Sequence, residues 1–200
     1  MVEPFSKRLA LYLRWSLALT MLFVATYGVT NWAASQRETR VHLYLDQELR
    51  IPFVPWMIWV YLSVNGLLVM PLFAADCAGI NRYGRACAAA TIIAALFHLA
   101  LPAELGWARP AGVPGYPVFD RFFALDRPHN LVPSLHVTYS LLSRLALNAV
   151  QASGWMRILA ALWMVLLVIS VVLVHQHHLS DVVTGLALGA VCHYWLGRKR

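Results

Sequence analysis

Histidine, arginine, serine and aspartate gather in two short stretches of this chain. One is Asp126-Arg127-Pro128-His129-Asn130-Leu131-Val132-Pro133-Ser134-Leu135-His136, preceded by Arg109-Pro110; the other is His175-Gln176-His177-His178-Leu179-Ser180-Asp181. His177 and Asp181 are i and i+4, so they share a face once a helix has begun. A carboxylate so placed accepts one imidazole N–H and fixes the tautomer, which leaves the other nitrogen to attack an electrophile. Pro133 and Ser134 have the character of a helix start, since proline suits the first turn and serine caps it. Free N–H groups at such a start bind anions, and His136 would stand in that first turn. Arg109 and Arg127 supply planar forks for phosphate oxygens. An anion cradle, a nucleophile with its orienting carboxylate and a second histidine compose a phosphoryl-transfer site without a metal or a cofactor.

Composition says what must position these groups. Of the 200 residues, 60% are apolar and 12% are charged, against roughly 25% charged in soluble proteins. A soluble domain of this size would have to expose the excess as an aggregating patch. A disordered chain, a coiled coil and an ordinary soluble enzyme are thereby excluded, and lipid is the expected solvent. Uncharged runs of 22, 25, 18 and 23 residues follow Arg14, Arg50, Arg85 and Arg157. Each is near the length of about 20 helical residues needed to cross a hydrocarbon core. Two runs of 16, Pro128 to Ser143 and Val182 to Gly197, complete the set if Arg144 snorkels or faces the bundle. Lipid-exposed backbone must satisfy its own hydrogen bonds, so these are helices. The expected fold is an all-α integral membrane bundle of six transmembrane helices, a single domain over residues 1–200. Its spans are about 15–35, 53–75, 85–102, 132–150, 156–175 and 179–197, with chemistry in the connections about 104–136 and 170–181.

With the N-terminus inside, the inner segments hold ten of the sixteen lysines and arginines and the outer segments six. That bias places both termini in the cytoplasm. It also accounts for the net charge of +7 without a nucleic-acid partner. Cys77, Cys87 and Cys192 form no CxxC and read as small buried hydrophobes on the cytoplasmic side. The first apolar run exceeds the 7–15 residues of a signal-peptide core, so it reads as a span rather than a cleaved leader. Charge counts alone put both histidine-bearing segments on the same, outer face, which points to a single site there.

The same segments resemble the type 2 phosphatidic acid phosphatase superfamily of membrane lipid phosphatases and phosphotransferases. Pro133-Ser134-Leu135-His136 is similar to the family's Pro-Ser-Gly-His motif with leucine for glycine, a variant resembling the branch of inositolphosphotransferase-like proteins. His177 and Asp181 match the end of a motif that usually opens Ser-Arg; here Ser170-Val171 stands in that place. A motif ending in Arg-Pro is met by both Arg109-Pro110 and Arg127-Pro128, and neither has the usual lysine seven residues earlier (Pro102, Asp120). The resemblance covers about residues 50–197. It implies a phosphohistidine on His177, oriented by Asp181, with His136 protonating the leaving alkoxide. It implies phosphate held by Arg109, Arg127 and Ser134, with His175 standing in for the missing arginine. The substrate would be a lipid phosphate monoester or diphosphate, hydrolysed at the periplasmic or exterior face of the inner membrane if the chain is bacterial. The alternative is transfer of a phospho-headgroup, for example inositol phosphate, to a lipid acceptor.

Other histidines read more plainly. His129 and His178 are expected to support the site, His98 and His193 to pack within spans, and His42 to lie in an interfacial segment. A metal-binding or transport role for His136, His175, His177 and His178 competes. Adjacent His177 and His178 do not easily face one ion from a helix, and arginines disfavour a neighbouring cation.

Overall fold

A computed structural model describes residues 3–110, 112–125, 128–148 and 153–197. It is all-helical, and five of its helical segments are long and apolar enough to cross a membrane. Among the described residues there are eight α-helices: α1 Phe5–Ser35, α2 Ile58–Leu62, α3 Val64–Ala74, α4 Cys77–Ala100, α5 Val118–Leu125, α6 Leu135–Asn148, α7 Gly154–Leu173 and α8 Leu179–Cys192. Short 3-10 turns cover Asp46–Arg50 and Pro55–Met57, and a π turn, His193–Gly197, extends α8. Among the described residues there is no strand, and Val41 and Ala103 form an isolated bridge.

The helix ends depart from the charge boundaries where charge does not oppose helix. α1 starts at Phe5 rather than near residue 15, because Lys7, Arg8 and Arg14 are good helix formers that need only stay in headgroup water. α4 starts at Cys77 rather than near 85. Asp76 caps it by accepting the Gly79 N–H at 2.6 Å, and Arg82 and Arg85 lie within the helix. The second span is segmented, with a break at Ser63 between α2 and α3. There Ser63 Oγ accepts the Trp163 indole N–H at 2.8 Å. The connection from Glu104 to Leu131 is not merely loop: it contains α5, whose Phe119 is completely buried.

α6 stands at the centre, packed against α3, α4, α7 and α8. Its 14 residues span about 21 Å at 1.5 Å each. Toward α4 and α8 the core is built of small residues, including Ala86, Cys87, Ala90, Ala94 and Cys192. Such residues let helices approach where lipid supplies no hydrophobic drive. The three cysteines are free and buried. α6 and α8 approach closely at Gly185. A Cβ there would lie 2.6 Å from the Ser134 carbonyl oxygen, so α8 can seat against the start of α6 only without a side chain at that position. Thr138 Oγ1 then bridges the helices, donating toward the carbonyls of Ser134 at 2.8 Å and Gly185 at 2.9 Å.

At one end of the bundle lies a second core of Met57, Ile58, Tyr61, Trp107, Phe119, Val137, Val171, Val174 and Val182. It gathers α2, α5, α6, α7 and α8 beneath the connecting segments. The two chemistry-bearing stretches meet at this end.

Candidate functional site

α8 begins at Leu179, so His177 precedes the helix and Asp181 lies in its first turn. Asp181 Oδ2 accepts the His178 backbone N–H at 2.9 Å and faces His177 Nδ1 at 3.2 Å. Ser180 Oγ donates to Oδ1 at 3.2 Å. One carboxylate thus caps the helix and orients the imidazole. Only 1% of Asp181 and 6% of His177 are exposed. A buried carboxylate accepting three hydrogen bonds is well satisfied. With Nδ1–H donated to Asp181, the His177 lone pair lies on Nε2.

The start of α6 is tied to the same place through backbone. The Ser134 N–H donates to the Asp181 carbonyl at 3.1 Å. Ser134 Oγ caps α6 by accepting the Val137 N–H at 3.4 Å. Ser134 is completely buried: its backbone N–H joins α6 to α8, and its hydroxyl caps α6. The Val132–Pro133 peptide is cis, and His98 Nε2 donates to the Pro133 carbonyl at 3.3 Å. His136, in the first turn of α6, brings its ring to 5.9 Å from that of His177, centroid to centroid. Its Nδ1 shares a 3.2 Å hydrogen bond with the Tyr61 hydroxyl. When Tyr61 donates, the ring proton sits on His136 Nε2.

His136 and His177 line a cavity of about 260 Å³, together with Tyr61, His98, Asn130 and Gln176 and the inner face of α1 at Phe23 and Tyr27. Three imidazoles, two side-chain amides and two phenols around so small a space can hold and pass protons to a tetrahedral oxyanion. Arg109 is joined to the site indirectly: its Nη2 donates to Gln176 Oε1 at 3.1 Å, and its guanidinium stacks 4.8 Å over Phe123. Arg127 lies outside the described residues.

His175 is placed differently from the other candidates. It has a left-handed backbone, φ 53°, and Nε2 donates to the Ile51 carbonyl at 2.9 Å. Its ring stacks on Trp107 at 4.3 Å, and among the described residues it is not part of the cavity wall. Gln176 takes the position facing His177's cavity that His175 was expected to take.

His178 forms a second carboxylate–imidazole pair that sequence reasoning did not supply. Its Nε2 accepts the Gly106 N–H at 3.2 Å, so Nδ1–H donates to Glu48 Oε2, also at 3.2 Å. Glu48, 4% exposed, further accepts the backbone N–H groups of Leu179 at 2.8 Å and Leu45 at 3.0 Å. The His178 ring is sandwiched between Trp107 at 3.9 Å and Tyr44 at 4.3 Å. These contacts clasp two connecting segments, one carrying Tyr44 and Glu48 and the other Gly106 and Trp107, onto the turn that carries His177. Glu48 lies 130 residues from His178 in a stretch with no motif, and an acid in a polar segment gives no signal. Tyr61 was likewise missed; as a tyrosine about two turns into an apolar span it reads as an interfacial anchor.

Burial pulls the pKa of His178 below its ordinary value, although Asp181 and Glu48 oppose the shift. Burial also lowers that of His175, with the Ile51 carbonyl opposing. A folded-state pKa below the unfolded one means that the unfolded chain binds more protons between the two values, so stability rises with pH across that window. Thermal stability in detergent is therefore expected to fall as pH drops below about 6.5, the unfolded histidine value. Protonated His178 can no longer accept the Gly106 N–H. In His178→Gln that acid-side fall should shrink; an identical profile in wild type and variant would contradict the assignment.

Among the described residues, no group of three or more histidine, cysteine, aspartate or glutamate side chains is arranged to hold a metal ion. Compared with known protein families, with curated proteins and with solved structures, the chain matches none.

Proposed function

We propose that this chain is a membrane-embedded lipid phosphatase acting through a phosphohistidine. The observation that carries the reading is the pairing of His177 with Asp181 at 3.2 Å while His136 faces it across one cavity. His177 Nε2 attacks phosphorus, and the bond from phosphorus to the lipid oxygen breaks. His136, entering as imidazolium, delivers a proton to that oxygen and becomes neutral, and lipid alcohol leaves. Water then attacks the phosphohistidine, His136 takes its proton, the P–N bond breaks, and inorganic phosphate is released. With a lipid diphosphate, the same steps at the terminal phosphorus give lipid monophosphate and phosphate. Asp181 holds the tautomer and offsets the charge developing on His177. Arg109 fits the role of an anion-binding fork held at the rim by Gln176.

The resemblance of Pro133–His136 and His177–Asp181 to type 2 phosphatidic acid phosphatases supports the same reading. We place α6 as a sixth span, both termini in the cytoplasm, and the site at the outer headgroup level of the inner membrane if the chain is bacterial. The lysine and arginine bias supports this orientation.

The test is phosphate release by detergent-purified protein in EDTA, over phosphatidic acid, phosphatidylglycerol phosphate and polyprenyl diphosphate. Chelator-resistant release from at least one is expected. No release, but a headgroup appearing on an added lipid alcohol, would replace hydrolysis with phosphotransfer. Neither result, with stoichiometric bound metal, would refute the reading.

A further inference from the structure

A second, larger cavity adjoins the first. It measures about 380 Å³ and shares Phe23, Tyr61, Phe122, Leu135 and His136 with it, so the two meet at the histidine of α6. From there it follows α1 past Leu19 and Leu68 to a floor of Tyr12, Ile80 and Tyr83. Tyr12 and Phe23 are 11 residues apart on α1, about 16 Å of helix at 1.5 Å per residue. That is close to one leaflet of a hydrocarbon core about 30 Å thick. Among the described residues, no Asp, Glu, Lys or Arg lines the space.

Its walls also say how it is reached. α1 is fixed to α4 on one side, where the Trp15 indole donates to Asn81 Oδ1 at 2.9 Å and the ring lies over Gly84. Toward α3, the Tyr12 hydroxyl donates to the Leu68 carbonyl at 3.3 Å, near the floor. Thr20 and Asn65 line the cavity and are exposed on the bundle surface. The mouth therefore lies between α1 and α3, facing the surrounding lipid. Protein interiors are close-packed, with few voids much larger than a water molecule. An uncharged space of this size, open to lipid and continuous with a polar cavity, matches an amphiphile whose head and tail divide between the two.

We infer that this cavity seats a single long hydrocarbon chain, acyl or prenyl, belonging to the phosphate-bearing substrate itself. The inference rests on the phosphoryl-transfer reading of His136 and His177. The phosphate lies at His177, and the chain passes His136 and runs along α1 to the floor. Tyr83 holds that floor in place through its 2.9 Å hydrogen bond to Ser143. Chain length is then read by the distance to Tyr83, and substrates enter sideways between α1 and α3.

Leu19→Trp and Leu68→Trp, on facing walls, test this. Each is compared with wild type on long-chain and water-soluble short-chain phosphates, in separate acyl and prenyl series. The ratio of long-chain to short-chain kcat/KM should fall roughly tenfold, what withdrawing about two methylenes from contact amounts to. The series that shows the fall identifies the chain chemistry. An unchanged ratio in both series overturns the proposal.

A binding readout separates this inference from the reading beneath it. A lysophosphatidic acid with a photoreactive diazirine on its chain is crosslinked to the His177→Ala protein. Labels are expected on the cavity faces of α1, α3 or α6, and should be lost in the Leu19→Trp background. Labels confined to the lipid-facing side of α7, or equal labelling by a photoreactive phosphatidylcholine, overturn the proposal. Cavity labelling by a protein that hydrolyses neither series would strike the phosphatase reading and leave the chain site standing.

Discussion

Asp181→Asn is expected to remove nearly all turnover while leaving the fold intact, and His177→Ala to do the same by deleting the nucleophile. The asparagine variant is the sharper of the two. Asp181 Oδ2 accepts both the His178 backbone N–H and the His177 ring N–H. Both hydrogen bonds end on one oxygen, so an asparagine carbonyl in that place keeps the cap and the Nδ1–H tautomer, and its amide N–H falls beside Ser180 Oγ. What is removed is the negative charge that offsets the charge developing on His177. The expected loss is about 10²–10³-fold in kcat, the scale of a lost electrostatic stabiliser of the transition state. Asp181→Ala would lose the cap as well, at about 1 kcal/mol, so its lower activity would mix two causes. Thermal unfolding in detergent separates them: Asp181→Asn should unfold near wild type. Wild-type turnover in either Asp181→Asn or His177→Ala would end the assignment of His177 as nucleophile. Acid-labile, base-stable phosphate trapped on wild type and absent from His177→Ala would support it directly.

Much of this arrangement was legible in the sequence because it is local or dictated by the solvent. The i, i+4 spacing brings Asp181 back to His177 across one helix entry, whatever surrounds it. Pro133 and Ser134 mark the start of α6 through the chemistry of helix ends. The apolar runs predicted every long helix. The bundle then brings Pro133–His136 and His177–Asp181 together through the Ser134 N–H on the Asp181 carbonyl. Gly185 permits that approach, though as one glycine in an apolar run it announces nothing.

What was not legible depends on distant partners. Glu48 reaches His178, and Tyr61 reaches His136 across 75 residues, and no spacing rule links them. Ser134 reads as both cap and phosphate ligand, and the Val137 N–H on its hydroxyl is the cap. His175 has the right residue type for an anion site, yet backbone geometry turns it to Ile51 and Trp107. Side-chain direction in a turn depends on φ and ψ, and outside proline residue type does not fix them. α5 escaped notice because eight residues among prolines are too few for a periodic signal to stand out.

His136 carries the second large effect, and the leaving group exposes it. In the first half-reaction a lipid alkoxide departs, which needs a proton. In the second, water attacks, and a base must take one. Replacing His136 with alanine removes both services, so lipid phosphate hydrolysis should fall about 10²–10⁴-fold, the range for a general acid or base. An aryl phosphate with an acidic phenol leaves without help, so with that substrate only the second half suffers. His136→Ala should then release one equivalent of phenol per protein in a burst and stall as a phosphoenzyme, because His177 and Asp181 are untouched. Tyr61→Phe, which removes the 3.2 Å partner of His136 Nδ1, should show the same asymmetry in weaker form, since it loosens the ring without deleting it. A burst lost together with lipid turnover would mean that His136 shapes the cavity rather than moving protons. Wild-type rates on both substrates would mean that the proton comes from elsewhere in the cavity, where His98 Nε2 is already committed to the Pro133 carbonyl. The asymmetry between the two leaving groups therefore distinguishes a proton-transfer role from a purely structural one, which an overall loss of activity would not.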